Sequence, residues 1–443
     1  MQTLTRSKTP RETGSTESRH AQSWRRTASA LSVLCLAAAL AGCAPASGGS
    51  EGNAVTLTYG IWDKAQQPAM EQIIEEFERE NPSIDVRITL TPWDAYWTKL
   101  KTAATGGSAP DVFWMMMDRL KLYADGGVLL PLSERIRDDH LDMSNYVDAT
   151  VEGFTWQDQI YGMPKDTNSF GLFYNKTLFA QAGVPVPDET WTWDDVVSAA
   201  QNLTDADGGV YGIGAPVADV LGYYLTIPQA GGYVISPDGT RSGYDDPRTI
   251  AGLRFWSDLI NRYHVSPTVQ QMTDTDVMSM FTSGKIAMCY GGSWDPIALS
   301  MVPYATENVA VAPLPKGENR SFYANGIGNV AFAKTEHPEE AWTFLQFLGS
   351  KRAAEIQAET GTVIPAFKGE EDTYARALPQ FDLKVITDQL PNGLPIPSSI
   401  DTAVWSDFAI TEFTKAWTGE ESVEQAARIV AEQMNTALAT EAK

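Results

Sequence analysis

Residues able to do covalent or metal chemistry are present in this sequence, but their spacing does not suit it. The four histidines, His20, His140, His264 and His337, are scattered, and none has a partner at metal-ligand spacing. No G-x-S-x-G turn presents a serine nucleophile; Gly291-Gly292-Ser293-Trp294 lacks the pattern. Gly284-Lys285 lacks the Gly and the Ser/Thr of a phosphate loop. Asp205-Ala206-Asp207-Gly208 starts like a calcium loop without the downstream Asp and Glu, so a polar turn is expected. Carboxylates are abundant, 56 Asp and Glu against 33 Lys and Arg. Counting therefore does not exclude the paired carboxylates of a glycosidase, although no pair stands out.

One cysteine has a clear chemical context. Cys43 ends Leu40-Ala41-Gly42-Cys43, which resembles the lipobox of bacterial lipoproteins: small residues fit a peptidase cleft, and the thiol accepts a diacylglycerol. Ahead of it, a basic stretch ending at Arg25-Arg26 gives way to an apolar run from Ala28 to Gly42. That run is shorter than the roughly 20 residues of a spanning helix and has the layout of a cleavable export signal. After it, Ala44 to Asn53 is a Pro/Gly/Ser-rich linker. Residues 1–42 are thus expected to be a lipoprotein signal peptide and 43–53 a flexible tether. The protein is expected to be exported and lipid-anchored through Cys43 on the outer face of the cytoplasmic membrane. The paired arginines leave a Sec or a twin-arginine route open, with Thr27-Ala28 a poor match to the latter.

With Cys35 inside the signal, Cys289 stands alone in the mature chain, so no intrachain disulfide is expected there. Its neighbours Met288 and Tyr290 predict a buried packing role. The net charge is −23, and the first 42 residues carry an excess of basic side chains (Arg6, Lys8, Arg11, Arg19, Arg25, Arg26), so the remainder is more acidic still. Such a surface does not track a nucleic-acid backbone, which demands Lys and Arg, and it suits a soluble monomer.

Beyond the tether, strands and helices are expected to alternate. Val55 to Trp62 is rich in β-branched and aromatic residues. Pro68 opens a helix with Met70, Ile73, Ile74 and Phe77 on one face, and Asn81-Pro82 stops it. Ile84, Val86, Ile88 and Leu90 alternate as a second strand. Asp94 is expected to cap a helix ended by Gly106-Gly107, and Asp111 to Met115 is a third strand. This β-α-β-α-β order predicts an α/β fold with a mostly parallel sheet covered by helices. A final helix is expected from Ser422, with Gln425 completing a capping box and Val423, Ala427, Val430 and Met434 on its apolar face. No internal repeat of 20–50 residues is visible.

Several segments carry a resemblance: YGMPKDTNSFGLFYNK (Tyr161–Lys176), LFAQAG (Leu178–Gly183), TWTWDDVVSAAQNLT (Thr190–Thr204), GVYGIG (Gly209–Gly214), FTSGKIAMCYGGSW (Phe281–Trp294), APLPKG (Ala312–Gly317), HPEEAWTFLQFL (His337–Leu348) and GTVIPA (Gly361–Ala366). With APDVFWMMMDRL (Ala109–Leu120) upstream, they resemble, in order, the family 1 extracellular solute-binding proteins, the group that includes maltose-binding protein. The resemblance spans almost the whole mature chain. It implies a periplasmic-binding-protein-like fold of two discontinuous α/β lobes with a hinge and a ligand cleft between them. The first lobe would comprise 54–165 plus 325–362, and the second 166–324 plus 363–443. The chain would cross near Lys165–Asp166, Tyr323–Asn325 and Gly361–Ala366.

The same resemblance implies a non-enzymatic carbohydrate-binding component of an ABC importer that needs no cofactor, delivers to the permease subunits and captures its ligand by hinge closure. Aromatic faces cover the C–H faces of a pyranose, and charged or amide groups bind its hydroxyls. The implied ligand-binding set is Trp62, Asp63, Asp118, Arg119, Asp166, Asn168, Asp219, Tyr223, Gly292, Trp294, Asn325 and Trp405. For Trp62, Trp294 and Trp405 stacking on ligand and packing in a core both stand open, and Trp93 is a weaker candidate. Trp256 and Trp342 fall on helical apolar stripes and are expected in the core. Asn168 occupies a position where maltose-binding protein carries a carboxylate, which points to altered specificity. A non-sugar solute such as a polyamine or phosphodiester, and a secreted carbohydrate-active enzyme, are the alternatives. The mixture of aromatic, Asp, Asn and Arg side chains favours a neutral polyol.

Overall fold

Strand β1 (Val55–Ile61) leads into helix α1 (Gln67–Glu80) in the computed structural model, which describes residues 54–441; the signal and tether lie outside the described residues. Helix α1 buries Met70, Ile73, Ile74 and Phe77, the face expected from their spacing, and Asn81 ends it with its N–H on the Phe77 carbonyl. Strand β2 (Ile84–Leu90) pairs parallel with β1. Helix α2 (Trp93–Gly106) begins right after Pro92 and has no side-chain cap. The expected Asp94 cap is therefore corrected: Asp94 sits within the first turn, where its charge still meets the positive end of the helix. Gly107, at φ 72°, takes the left-handed conformation that closes α2. Strand β3 (Val112–Met116) is wholly buried and runs directly into α3 (Met117–Asp125).

Next come β4 (Gly162–Pro164), β5 (Asp166–Thr167), β6 (Phe170–Asn175), helix α4 (Pro247–Asn261), β7 (Met288–Gly292), β8 (Val309–Ala312), β9 (Phe322–Ala324) and β10 (Ile327–Ala331). The chain then forms α5 (Pro338–Leu348), α6 (Lys351–Glu359), β11 (Ile364–Pro365), β12 (Gly393–Pro395), α7 (Thr402–Trp417) and α8 (Val423–Glu441). One sheet has the order β2-β1-β3-β10-β4, and a second has β8-β6-β7.

Within the two larger sheets, the expectation of mostly parallel strands holds only for β2-β1-β3. Strand β10 is antiparallel to both β3 and β4, and every pairing in the second sheet is antiparallel. Helical crossovers enforce parallel neighbours in the opening β-α-β-α-β unit. Strand β10 returns from the other sheet, so that constraint does not act on it. Two short ladders lie at the expected crossings: β5 with β11, antiparallel, and β9 with β12, parallel.

Trp256 is fully buried and stacks on Tyr290 at 4.9 Å, and Trp342 is buried with its indole N–H on Asp139, as their spacing predicted. Helix α8 buries Val423, Ala427, Val430 and Met434, and the Gln425 N–H donates to Ser422 Oγ at 3.2 Å. Cys289 is free and buried, and burial raises its thiol well above the usual range. Asp205 accepts from the Gly208 N–H at 3.0 Å, the polar turn expected there. Among the described residues, no cluster of His, Cys, Asp and Glu can hold a metal ion, and no helix is long and apolar enough to cross a membrane.

Candidate functional site

The site starts where β1 runs out. Trp62 is the first residue beyond the strand, and its indole meets Trp93 at 5.4 Å, Tyr96 at 4.9 Å, Trp97 at 5.9 Å and Trp114 at 5.0 Å. Helix α2 presents Trp93 and Trp97 one turn apart, so both lie on one side. Trp93 is 45% exposed, an unusual exposure for an indole within an aromatic cluster. Beside it, Asp63 accepts from the Ala65 N–H at 2.8 Å and from Gln66 Nε2 at 2.9 Å, which fixes its carboxylate.

Helix α3 supplies the next pair. Asp118 accepts from Asn325 Nδ2 at 2.8 Å. The Arg119 guanidinium lies 3.7 Å from Asp118, 3.4 Å from Asp407 of α7, and 5.6 Å above the Trp97 ring. Burial disfavours its charge, but Asp118, Asp407 and Asp219 outweigh that and hold it above its usual range. Asp219 opens a kinked helical turn and accepts from the Val220 N–H at 2.7 Å. Burial, with Asp118 adding, raises its carboxyl.

On the second sheet, Gly292 donates its N–H to Asp295 at 2.7 Å. A Cβ at Gly292 would stand 2.3 Å from the Trp294 ring, so only glycine lets the indole lie across that strand end. Trp294 is half-buried and meets Phe170 edge-on at 5.7 Å. The Asp295 carboxyl is pushed up to about 7 by burial, with Asp63 adding and the Gly292 N–H partly offsetting.

Charge links groups far apart in the chain: Arg119 acts on Asp219, and Asp63 acts on Asp295, whose carboxylate accepts the Gly292 N–H. Asn325 is fully buried and braces Asp118, and its carbonyl accepts the Asn168 N–H at 3.1 Å. Asn168 and Asn325 border a cavity of about 410 Å³ beside the crossings, with Met117, Thr167 and Leu394.

Three of the implied ligand residues are placed otherwise. The Asp166 carboxylate is buried against the Lys165 ammonium at 2.9 Å and accepts the Ile327 N–H at 2.8 Å, so its capacity is used inside the protein. Tyr223 is buried, packed on Tyr224 and Phe413. Trp405 is 0% exposed and its indole N–H donates to Ser399 Oγ at 2.9 Å, which corrects the stacking reading in favour of the core. The sequence reading missed Tyr96, Trp97, Asp295 and Asp407. The i, i+4 spacing of Trp93 and Trp97 was the one signal that pointed to any of them.

A family model described as bacterial extracellular solute-binding protein matches residues 62–355. The chain belongs to this family. Solute-binding proteins of this kind are exported, and the two-lobed α/β architecture agrees with solved relatives. An ABC substrate-binding protein from Listeria monocytogenes, in complex with cycloalternan, superposes with a TM-score of 0.82 at 26% identity, covering 87% of this chain and 99% of that one. A solute-binding protein of Thermotoga lettingae bound to α-D-tagatose gives a TM-score of 0.78 at 25% identity, covering 87% and 100%. In sequence, the galactooligosaccharide-binding protein of Bacillus subtilis is 26% identical over 409 residues, covering 89% of this chain and 90% of that protein.

Proposed function

We propose that this solute-binding protein captures a sugar or oligosaccharide and delivers it to the permease of an ABC importer. The observation that carries this reading is the pairing of an indole cluster, the exposed Trp93 with the half-buried Trp62 and Trp97, with fixed polar groups on Asp63, Asp118 and Arg119. Flat apolar faces next to charged acceptors and donors match the two surfaces of a pyranose. The names printed for the Listeria, Thermotoga and Bacillus proteins support the same ligand class. A carboxyl raised like that of Asp295 also serves glycoside hydrolases, but this family binds its solutes and does not process them.

Residues 54–165 with 325–362 form the first lobe in this reading, and 166–324 with 363–443 the second. Ligand joins α3 to the second lobe and so favours the closed arrangement, as only differential affinity can. The crossings near Asp166, Ala324 and Ile364 act as the hinge. Calorimetry against a panel of oligosaccharides tests the function. Trp62→Ala is expected to weaken a bound sugar by more than about tenfold, or about 1.4 kcal/mol. Unchanged affinity in folded Trp62→Ala protein would remove the aromatic platform from the site.

Anchoring follows from the lipobox resemblance. Cys43 carries the diacylglycerol, and the protein stays on the outer face of the cytoplasmic membrane as a tethered monomer. Cys43→Ala should abolish labelling by a radioactive fatty acid and release soluble protein. Continued labelling of that variant would refute the anchor.

A further inference from the structure

We propose that Trp93 forms an outer sugar subsite beside Trp62, so that this protein selects a ligand of at least two sugar rings over a monosaccharide. This rests on the sugar-binding reading above and narrows it to ligand length.

The tilt between the indoles decides this. Trp62 and Trp93 meet at 5.4 Å with their planes 70° apart, Trp62 and Trp97 at 5.9 Å and 44°, and Trp93 and Trp97 at 5.8 Å and 88°. A pyranose stacks by laying one flat C–H face along an aromatic face. No two of these indoles are near enough to coplanar for one pyranose to cover both. Each therefore serves a separate ring or none.

Trp97 is already engaged. The Arg119 guanidinium lies over its ring at 5.6 Å, Tyr96 meets it at 5.2 Å with planes 86° apart, and its indole nitrogen is buried. Trp62 and Trp93 remain. Trp62 is half-buried, bounded by Tyr96, Trp97 and Trp114, and holds the inner position next to Asp63. Trp93 is 45% exposed and holds the outer one.

A lone exposed indole would carry no such meaning. This one is fixed in place relative to Trp62. The Thr91 N–H donates to the Ile61 carbonyl at 2.9 Å, which ties the chain just ahead of Trp93 to the residue before Trp62. Pro92 then restricts the backbone where α2 begins, and Trp93 is the first residue of that helix. A platform built before the ligand arrives loses little freedom on binding. A monosaccharide stacked on Trp62 leaves the Trp93 face in water, and a second ring covers it.

Calorimetry with saccharide ladders of one to four rings tests this. The ladders are α-1,4- and β-1,4-linked glucose, β-1,4-linked galactose and β-1,4-linked mannose. In a ladder that binds, affinity is expected to rise by about tenfold or more between one ring and two. Trp93→Ala should remove most of that rise and leave the monosaccharide within about threefold of the parent, while Trp93→Phe keeps most of it. Tyr96, Trp97 and Trp114 still hold Trp62 in the Ala variant. In a second measurement, oxidation of Trp93 by N-bromosuccinimide, read by peptide mass spectrometry, is slowed by the oligosaccharide and not by the monosaccharide. A monosaccharide that binds as tightly as its longer forms, or unchanged affinities in Trp93→Ala, overturns the outer subsite and leaves sugar capture standing. Equal losses for one ring and two put Trp93 at the inner ring and overturn it as well. Failure of every saccharide to bind the parent overturns both readings.

Discussion

Replacing Asp166 with Ala lowers the unfolding free energy by about 3–5 kcal/mol, the cost of stranding a buried charge. Both side chains of the Lys165–Asp166 pair are 1% exposed. Without Asp166, the ammonium keeps only Gln66 Oε1 at 2.8 Å and the Trp114 face at 4.7 Å. The Ile327 N–H also loses its acceptor, which uncouples β5 from the start of β10. Urea denaturation measures the loss. The double variant Lys165→Met/Asp166→Leu should recover most of it, because a buried ion pair contributes little over an apolar pair of similar volume. A single variant within about 1 kcal/mol of the parent would show that water reaches the pair and that the crossing is not held by charge.

How far the sequence revealed the fold depended on local periodicity. The first three strands and two helices were legible, because alternation and i, i+4 spacing are local and each has a burial consequence that the structure repeats. The antiparallel insertion of β10 was not legible from pattern, because strand direction is set by where the chain returns from, and β10 begins at Ile327, far beyond the end of β4 at Pro164. Only the family resemblance placed the crossings. The site followed the same rule. Asp118 and Arg119 were named through the family resemblance, in the segment that follows the third strand. Asp407 could not be, since its role comes from α7 meeting α3. Asp166 was read as a ligand group because the family resemblance puts acidic ligand groups at that crossing; its use was decided by the adjacent lysine folding back to it. Aromatic residues were the hardest to assign. An indole's sequence neighbours do not say whether its face meets solvent or core.

Trp405 makes that last point measurable. Its indole is fully buried in α7, and the Ser399 hydroxyl it donates to is itself tied to the Glu441 carboxylate at 2.9 Å. That carboxylate also accepts the Ile400 and Asp401 N–H groups at 2.9 Å, so the C-terminal helix α8 clasps the loop ahead of α7 through this serine. Removing the ring leaves a large cavity and takes from the Ser399 hydroxyl the N–H it accepts, and Trp405→Ala should destabilise the protein by about 3–5 kcal/mol. Affinity per folded molecule should stay within about threefold of the parent, since the ring has no exposed face to offer a sugar. Trp62→Ala should weigh the other way: a smaller loss of stability, since that ring is only half-buried, and affinity lost. Calorimetric binding and urea unfolding on both variants separate the two roles. A Trp405→Ala protein that keeps its stability and loses its ligand would return this indole to the cleft and place the C-terminal clasp among the binding elements.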